Sequence, residues 1–416
     1  MLRDVLLTQK REIELRLHEP YVERAYDASD LGGDLARVVL GPRRAGKSFF
    51  AIHLVSSLGP FSYVNFDDER LADLQDCDEL VAALDSVYGS PKQILMDEIQ
   101  NLPKWELFVN RLQRQGYRLT LTGSNAHLLS SELATHLTGR HIPIVLFTFS
   151  FSEYLRCAGK ELTDVEKAEA LRRYAETGGY PEPTVKGLNL REYLTTMLRS
   201  ILYKDIVVRH RIRSPGGLQD LTTYLMSNVA QEYSPNGLAR VTGCRSAMTV
   251  ERYLRYLEEA FLFFSLRRFS FKVREQARAN RKIYCTDNGL VTSASFRFSS
   301  DRGKLYENLA AIALHRQQLK GRVEVFCWKS PRQEEVDFVV KEGPRVTQLI
   351  QVCASPEQPK SRAREVRALL KAGTELKCDN LLVLTDSTES EEKASWFGFE
   401  GTVRFLPLWK WLLEAG

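Results

Sequence analysis

Short apolar runs alternate with longer amphipathic segments through the first 150 residues of the chain. The runs predict strands at "VVL" (38–40), "FSYVNF" (61–66), "QILMDE" (93–98), "RLTLTG" (118–123) and "HIPIVL" (141–146). Between them, apolar residues recur every three or four positions, as they do along the buried face of a helix. The predicted helices cover 1–36, 47–58, 77–88, 104–115 and 127–137. Strands that alternate with helices are typical of a parallel sheet covered on both faces.

The pattern changes after residue 150. Strand signals disappear between 151 and about 230, where spacing and capping residues predict helices, interrupted by the turn-forming "GGYPEP" (178–183). From 231 to 290 the pattern predicts a short helix, a turn, a second helix and a hairpin. From 301 onward, helices and strands alternate again. We therefore predict four domains, with the boundaries 1–150, 151–220, 221–298 and 299–416.

Composition places few limits on function. The chain has 416 residues with a net charge of +5, and no apolar run approaches the roughly 20 residues that span a bilayer. Charges interrupt every apolar stretch at the start, so a signal peptide is not expected. Seven cysteines stand at no zinc-ligand or redox spacing, which is typical of buried thiols in a reducing compartment. We expect a soluble cytoplasmic protein without a membrane partner.

The segment "VVLGPRRAGKSFF" (38–50) has the pattern of a phosphate-binding loop between a strand and a helix. In such loops, backbone N–H groups at a helix N-terminus converge on phosphate, a lysine reaches the β- and γ-phosphates, and a serine binds Mg²⁺. Lys47 and Ser48 have these positions. The predicted nucleotide-binding residues are Gly41, Pro42, Arg43, Arg44, Ala45, Gly46, Lys47, Ser48 and Phe49.

Two other predicted strands end in polar residues. The strand within "ILMDEIQ" (94–100) ends in two acids. Asp97 would hold Mg²⁺ through the second shell, and Glu98 would polarise the attacking water. "LTLTGSN" ends in Ser124 and Asn125, either of which could touch the γ-phosphate or orient the water. Acids at strand ends are often helix caps. Together with the loop, however, these residues predict a site that binds and hydrolyses a nucleotide.

An ordered set of segments carries a family resemblance. "GPRRAGKS", "ILMDEIQ", "TGSNAHLLSSELATHLTGR", "FTFSFSEYL" and "TGGYPEP" together resemble the bacterial and archaeal AAA-type ATPases that carry a DUF4143 C-terminal region. The resemblance covers nearly the whole chain. It implies ATP with Mg²⁺, and a hydrolysis site in residues 1–150 like that of AAA+ proteins. The absence of an [NT]KxD-type guanine motif agrees with adenine.

In such proteins an arginine often completes the site, commonly from a neighbouring subunit. Arg140, in "LTGRHIP" before the fifth predicted strand, is the candidate, and it would act within a homo-oligomer. The alternative is a surface arginine that caps the preceding helix. No second arginine sensor can be assigned from the sequence.

A basic segment follows the helical region. Between Asn236 and Lys282 there are eleven Lys and Arg against four Asp and Glu, a net charge of +7 that leaves the rest of the chain near −2. "SPNGLARVTGCRSAMTVERYLRYLEE" predicts a helix–turn–helix with Ser234 and Ser246 as caps. With the hairpin after it, it resembles a winged helix, which predicts DNA binding through a helix in the major groove and a basic wing. The alternative is docking to an unknown protein partner.

The predicted contacts to nucleic acid divide between the second helix and the wing. The apolar face of the second helix is formed by Val250, Tyr253, Leu254 and Leu257, and Arg245, Arg252 and Arg255 lie off this face. The wing would carry Arg267, Arg268, Lys272, Arg274, Arg278, Arg281 and Lys282.

The C-terminal region resembles a PD-(D/E)XK nuclease fold. The active site of such a nuclease needs acids to hold magnesium and a lysine to position water. Residue by residue, the resemblance places Glu307, Asp337 and Gln351 in the site, while Cys353 stands where a lysine is expected. A thiol supplies no positive charge, so the expectation is weak or no cleavage. Alternatively, Lys329 or Lys341 could reach the site from an adjacent strand. Glu307 and Asp337 could also be ordinary salt-bridge residues.

The sequence thus predicts an α/β protein: a P-loop NTPase parallel sheet of AAA+ type, a helical lid, a winged helix and a small, degenerate nuclease-like α/β domain. The expected function is an ATP-driven switch coupled to DNA. The alternatives are an active ATP-dependent nuclease and a protein-binding adaptor whose ATP site is only structural.

Overall fold

The computed structural model describes residues 2–26, 33, 35–123, 140–294, 301–355 and 358–414. The chain divides into two compact units. The first comprises residues 1–148 and 259–261, and the second comprises 149–258 and 262–416. Across the described ranges, every helix is too short or too polar to cross a membrane.

The described part of the first unit contains a parallel sheet with the strand order β2-β3-β4-β1-β5. Its strands are β1 (Ala36–Leu40), β2 (Ser62–Asn65), β3 (Gln93–Asp97), β4 (Arg118–Gly123) and β5 (His141–Val145). Its described helices are α1 (Leu2–Arg16), α2 (Lys47–Ser57), α3 (Cys77–Tyr88) and α4 (Trp105–Arg114). All five predicted strands are present, and the parallel arrangement is confirmed.

Apolar packing covers both faces of this sheet. Val38 and Leu40 belong to one buried cluster, whereas Val39 between them belongs to another. Met96 and Leu95 divide between the same two clusters. Because successive side chains of a strand point to opposite faces, a sheet buried on both sides requires continuous apolar runs. This is why the strands of this unit are readily found from sequence.

The N-terminal helix is shorter than predicted. It ends at Arg16 rather than continuing to residue 36. Pro20 follows closely, and a proline disfavours helical geometry at the residue before it. The helix predicted over 127–137 lies outside the described residues.

The second unit begins with helices. They are α5 (Phe151–Arg156), α6 (Asp164–Thr177), α7 (Pro181–Lys186), α8 (Leu190–Ser200), a π-helical turn (Ile201–Val208) and α9 (Gly216–Ser227). Capping boxes at Ser150 and Thr163 start α5 and α6. "GGYPEP" is a turn only in its first half, because Pro181 begins α7 at the first helical position, where its missing N–H costs nothing.

A helix–turn–helix and a small antiparallel sheet follow. The helices are α10 (Pro235–Val241) and α11 (Ala247–Glu259), and the sheet has the order β6-β8-β7 with β6 (Gln231–Tyr233), β7 (Phe263–Arg267) and β8 (Arg281–Cys285). The hydroxyls of Ser234 and Ser246 accept hydrogen bonds from the first turns of α10 and α11, as predicted. Between β7 and β8 the chain forms a further helix, α12 (Val273–Arg278), and α13 (Asn288–Ala294) follows β8.

The C-terminal part of this unit is a mixed sheet with the order β13-β14-β12-β11-β10-β9. The strands are β9 (Glu324–Lys329), β10 (Glu335–Glu342), β11 (Arg345–Val352), β12 (Leu381–Thr385), β13 (Ser390–Trp396) and β14 (Phe399–Pro407). The helices are α14 (Arg302–Leu319), α15 (Pro359–Leu376) and α16 (Leu408–Glu414). From α14 to β12, helices and strands follow one another as the predicted alternation requires. The hairpin β13–β14 and α16 were not predicted.

The seven cysteines, all among the described residues, are free thiols. Four of them are buried, and Cys77, Cys157 and Cys244 are only half-buried. The expectation that all seven are buried is therefore wrong for these three.

Candidate active site

The loop between β1 and α2 has the backbone geometry of a phosphate-binding loop. Gly46 caps α2 with a φ of 89°, and Gly41 has a φ of 147°. A Cβ atom at Gly41 would lie 1.9 Å from the carbonyl oxygen of Leu146, which follows β5. A side chain at position 41 would therefore be excluded both by the conformation and by the neighbouring strand.

Lys47 is buried beneath this loop. Its ammonium group donates hydrogen bonds to the carbonyl oxygens of Gly41 (3.1 Å) and Pro42 (2.9 Å). Arg43 is half-buried, whereas Arg44 is exposed and has a φ of 60°. The lysine is thus held against the loop whose N–H groups are expected to meet phosphate.

Asp97 is the centre of a hydrogen-bond network at the carboxyl ends of the strands. Its carboxylate accepts hydrogen bonds from the Ser48 hydroxyl (2.9 Å), the Tyr63 hydroxyl (3.0 Å) and the Thr122 hydroxyl. Burial raises the pKa of Asp97, while the hydrogen bond from Thr122 lowers it. The network brings the Asp97 carboxylate and the Ser48 hydroxyl together, as predicted. Tyr63 and Thr122 were not predicted.

Glu98 follows Asp97 in the left-handed conformation, with a φ of 50°. Its backbone N–H donates to the Thr122 hydroxyl oxygen over 3.0 Å, and the Gln100 amide donates to its carboxylate. The chain turn thus separates the side chain of Glu98 from the buried position of Asp97 and leaves it half-buried. Ser124 and Asn125 lie outside the described residues.

Arg24 is a residue of this site that no sequence motif indicated. It is buried, and its guanidinium group donates to the carbonyl oxygens of Ala45 (2.9 Å) and Phe147 (2.5 Å). One side chain therefore ties the phosphate loop to the segment after β5. In the sequence, Arg24 is marked only by its position between two aromatic residues, Tyr21 and Tyr26, ahead of the loop.

Arg140 lies at the edge of the sheet where β1 and β5 begin, opposite the edge that carries the phosphate loop. Its carbonyl oxygen accepts the N–H of Ala36, the first residue of β1, over 3.2 Å, and its side chain is exposed. The phosphate loop begins after the last residue of β1. A five-residue strand spans roughly 15 Å, which exceeds the reach of an arginine side chain. Arg140 therefore does not belong to the nucleotide site of its own chain.

In the second unit, the structure brings Glu307 and Asp337 together around Lys282. The Lys282 Nζ atom lies 2.8 Å from Glu307 Oε1, 2.9 Å from Asp337 Oδ1 and 2.6 Å from Glu335 Oε1. We call these four residues the Lys282 cluster. Lys282 is 4% exposed, so the prediction that it lies on a basic wing is wrong. A charge count along the chain cannot show that a lysine on β8 points towards carboxylates of α14 and β10.

Neither of the two lysines considered from sequence reaches the cluster. Lys329 pairs with Glu232, and Lys341 pairs with Glu324. Gln351 is buried beside the cluster, where its side-chain oxygen Oε1 accepts a hydrogen bond from the backbone N–H of Asp337 over 3.0 Å.

The basic residues assigned to nucleic acid are at the surface. Arg252 and Arg255 are exposed along α11, Arg245 is exposed in the turn that precedes it, and Arg274 is exposed on α12. None of the four forms an ion pair with a carboxylate in the described part of the chain. The apolar face of α11 is buried as predicted, through Val250, Tyr253, Leu254 and Leu257. Other wing residues are engaged, since Arg268 donates to the Lys329 carbonyl oxygen and Lys272 pairs with Glu275.

Comparison with protein families divides the chain into three matches. An AAA domain (AAA_14) matches residues 34–155, a domain of unknown function (DUF8612) matches 168–301, and another (DUF4143) matches 302–411. The first contains the phosphate loop and the Asp97 network. The boundary at 301 lies between Lys282 and the carboxylates that it contacts.

Relatives align over most of the chain. The uncharacterized protein MJ1544 of Methanocaldococcus jannaschii is 33% identical over 396 residues, covering 91% of this chain and 88% of that protein. An uncharacterized protein of Haemophilus influenzae is 28% identical over 346 residues, covering 79% and 84%. Among solved structures, the Walker-type ATPase PABY2304 of Pyrococcus abyssi is 15% identical, with a TM-score of 0.44 over 68% of this chain and 95% of that one. Because of the family matches and the similarity to MJ1544 over most of both chains, the chain belongs to the family of AAA-type ATPases that carry a DUF4143 C-terminal domain.

Proposed function

We propose that the protein couples Mg²⁺-dependent ATP hydrolysis to DNA binding, and that its C-terminal domain does not cleave DNA. The observation that carries the ATPase part is the joint placement of Lys47, Ser48, Asp97 and Glu98 at the carboxyl ends of β1 and β3. Ligands of open parallel sheets bind at this edge. The DNA part rests on the exposed arginines of α11, Arg252 and Arg255, which form no ion pair with a carboxylate of the described residues.

The donor set of the nucleotide site fits magnesium. A serine hydroxyl and a carboxylate are hard oxygen ligands of the kind that Mg²⁺ selects, and Ser48 and Asp97 lie within hydrogen-bond distance. Mg²⁺ bound there would neutralise charge on the phosphates. Ser48 would hold it directly, and Asp97 would orient the Ser48 hydroxyl and the water around it. Because Asp97 is buried, Thr122 and Tyr63 are needed to fix its carboxylate.

Two residues of the chain would then act on the nucleotide itself. The ammonium group of Lys47 would exchange the carbonyl oxygens of Gly41 and Pro42 for the β- and γ-phosphates. Charged phosphate oxygens are stronger hydrogen-bond acceptors for an ammonium group than carbonyl oxygens. Glu98 would orient the attacking water, because its carboxylate is half-buried at the strand end next to Asp97.

Phosphate release by the wild type and Glu98→Gln tests this proposal. We expect Glu98→Gln to bind a fluorescent ATP analogue like the wild type and to turn over about 100-fold more slowly, the range typical of general-base loss. Glu79→Gln, an exposed acid on α3, is the matched control. Equal turnover by the wild type and Glu98→Gln would favour the adaptor with a structural ATP site.

For DNA, we interpret α10, α11 and the three-stranded sheet as a winged helix. Arg245, Arg252 and Arg255 make no ion pair with described carboxylates, so their guanidinium groups are available to phosphate oxygens and base edges. Binding would release counterions, and affinity would fall steeply with salt. A nonhydrolysable ATP analogue should change this affinity if the two activities are coupled, since a ligand shifts an equilibrium only through differential affinity.

Duplex binding by the double variant Arg252→Glu, Arg255→Glu tests the surface. We expect weaker binding and a logarithmic salt slope smaller by about 2, one for each lost phosphate contact. Arg191→Glu, an exposed arginine on α8, is the matched control. Unchanged binding by the double variant would instead favour a protein partner at α11.

A further inference from the structure

The Lys282 cluster leaves its ammonium group no free donor. An ammonium has three N–H donors and no acceptor. Lys282 lies within 3 Å of three different carboxylates, those of Glu307, Glu335 and Asp337. Each donor therefore has an acceptor of opposite charge, and none remains to position a water molecule.

The carboxylates are held by further contacts within the protein. The second oxygen of Asp337 accepts the backbone N–H of Val352 over 3.0 Å, and Glu307 accepts the Tyr284 hydroxyl over 2.7 Å. Gln351 donates its amide to Glu365 over 2.6 Å. The site is thus satisfied internally, as buried polar groups in stable folds are.

The charges of the cluster depend on one another. Burial by itself lowers the pKa of Lys282, but the attraction of Asp337 and Glu307 outweighs it and holds the pKa well above its ordinary value. Burial and the charge of Asp337 raise the pKa of Glu307 to about 7, against the attraction of Lys282. Removing the lysine would leave the buried carboxylate of Asp337 facing the half-buried carboxylates of Glu307 and Glu335 without a cation, which is unfavourable.

We propose that Lys282 takes the place of a divalent cation, so that the cluster is an internal ion site that fastens β8 to α14 and β10. The reason why this domain would not cleave DNA then differs from the one expected from sequence. Although Cys353 supplies no positive charge, Lys282 on β8 does, and its ammonium group binds the carboxylates that would otherwise hold a metal ion.

Neighbouring contacts join the same two sheets and provide a matched control. The backbone N–H of Phe269 donates to the Cys327 carbonyl oxygen over 2.7 Å, and Lys329 on β9 pairs with Glu232 on β6 over 3.1 Å. Lys329 is therefore a second lysine between the two sheets, but with a single carboxylate. The Lys282 cluster shares no residue with the nucleotide site or with the α11 surface, so its role is independent of both proposed activities.

The experiment is a titration of the full-length chain with Mn²⁺, without nucleotide, in which electron paramagnetic resonance reports free Mn²⁺. We expect Lys282→Ala to bind one more Mn²⁺ per chain than the wild type, at least tenfold more tightly than any wild-type site in this unit. Asp337→Asn added to Lys282→Ala should abolish this site. Lys329→Ala should bind like the wild type, since one carboxylate does not hold the metal.

Thermal unfolding provides a second readout. Lys282→Ala should lower the Tm by about 5–15 °C, as expected when one partner of a buried ion cluster is removed. Mn²⁺ should recover much of this loss in Lys282→Ala and none in Lys329→Ala.

The wild type alone can overturn the proposal, even if Lys282→Ala does not fold. A Mn²⁺ site in the wild type that Asp337→Asn removes would show that the lysine yields to metal. Mn²⁺-dependent plasmid cleavage by the wild type, lost in Asp337→Asn, would make Lys282 part of a working nuclease site. A folded Lys282→Ala without an additional Mn²⁺ site would equally contradict the proposal.

Discussion

Thr122 donates its hydroxyl hydrogen to the carboxylate of Asp97, the residue that ends the neighbouring strand. The same hydroxyl oxygen accepts the backbone N–H of Glu98 over 3.0 Å. One side chain therefore fixes both the residue expected to orient the magnesium ligands and the residue expected to orient the water.

Replacing Thr122 by valine should reduce ATP turnover at least tenfold while leaving nucleotide binding nearly unchanged. Valine keeps the shape but leaves the buried Asp97 with fewer donors and the Glu98 N–H without its acceptor. Steady-state phosphate release checks this, with Thr122→Ser expected to restore most of the rate.

Thr120 provides the structural control for this substitution. It lies two residues earlier on the same strand, and its buried hydroxyl oxygen has no hydrogen-bond partner among the described residues. Thr120→Val should therefore leave turnover unchanged. Equal losses in the two valine variants would mean that strand packing, rather than the hydroxyl, controls activity.

Substituting Arg24 by lysine should weaken ATP binding about tenfold. A lysine keeps the charge but cannot bridge the carbonyl oxygens of Ala45 and Phe147 with a planar fork. Titration with a fluorescent ATP analogue measures the effect, and Arg11→Met, at an exposed position of α1, is the control. A wild-type affinity in Arg24→Lys would show that the loop holds its shape without this contact.

Arg140 leads to a prediction about subunits. Since it lies at the edge of the sheet opposite its own phosphate loop, it can complete only the site of a second copy. Arg140→Ala and Lys47→Ala should each be inactive alone, and mixing them should recover a measurable fraction of turnover, because one supplies the loop and the other the arginine. No recovery, together with a monomeric native mass in the presence of ATP, would remove Arg140 from the site.

His315 should make the stability of the second unit depend on pH. It stacks on Phe264 with ring centroids 4.1 Å apart, and burial, aided by the charge of Arg316, lowers its pKa to about 4. An unfolded histidine titrates near 6.5. The unfolded chain therefore binds the proton more readily, and stability should fall as the pH drops from 6.5 to 4, by up to about 3 kcal/mol.

The Tm measured at several pH values checks this, and His315→Gln should flatten the curve in that interval. His18→Gln, at an exposed position, should not. A directly measured pKa near 6.5 for His315 in the folded protein would contradict the prediction.

Local patterns explain what the sequence could predict. The five strands of the first unit were found because each is a continuous apolar run, and the loop was found because Gly41, Gly46 and Lys47 stand at fixed spacing. Helix α11 was found because its buried positions recur with helical period. Each of these signals lies within fewer than 20 residues.

Long-range pairing explains what was missed. Arg24 acts on carbonyl groups 21 and 123 residues away, and Lys282 acts on carboxylates 25 and 55 residues away. A basic residue in a basic segment has the same sequence signature whether it faces solvent or an acid from another strand. The contacts that decide its role exist only after folding.

The position of Lys282 affects how this protein can be divided for study. The family matches change at residue 301 to 302, and the lysine and its carboxylates are on different sides of that boundary. A C-terminal fragment that begins at residue 302 would contain Glu307, Glu335 and Asp337 without their cation. Such a fragment would offer acids that the intact chain keeps occupied, so a metal-dependent activity observed with it would belong to the truncation and not to the protein.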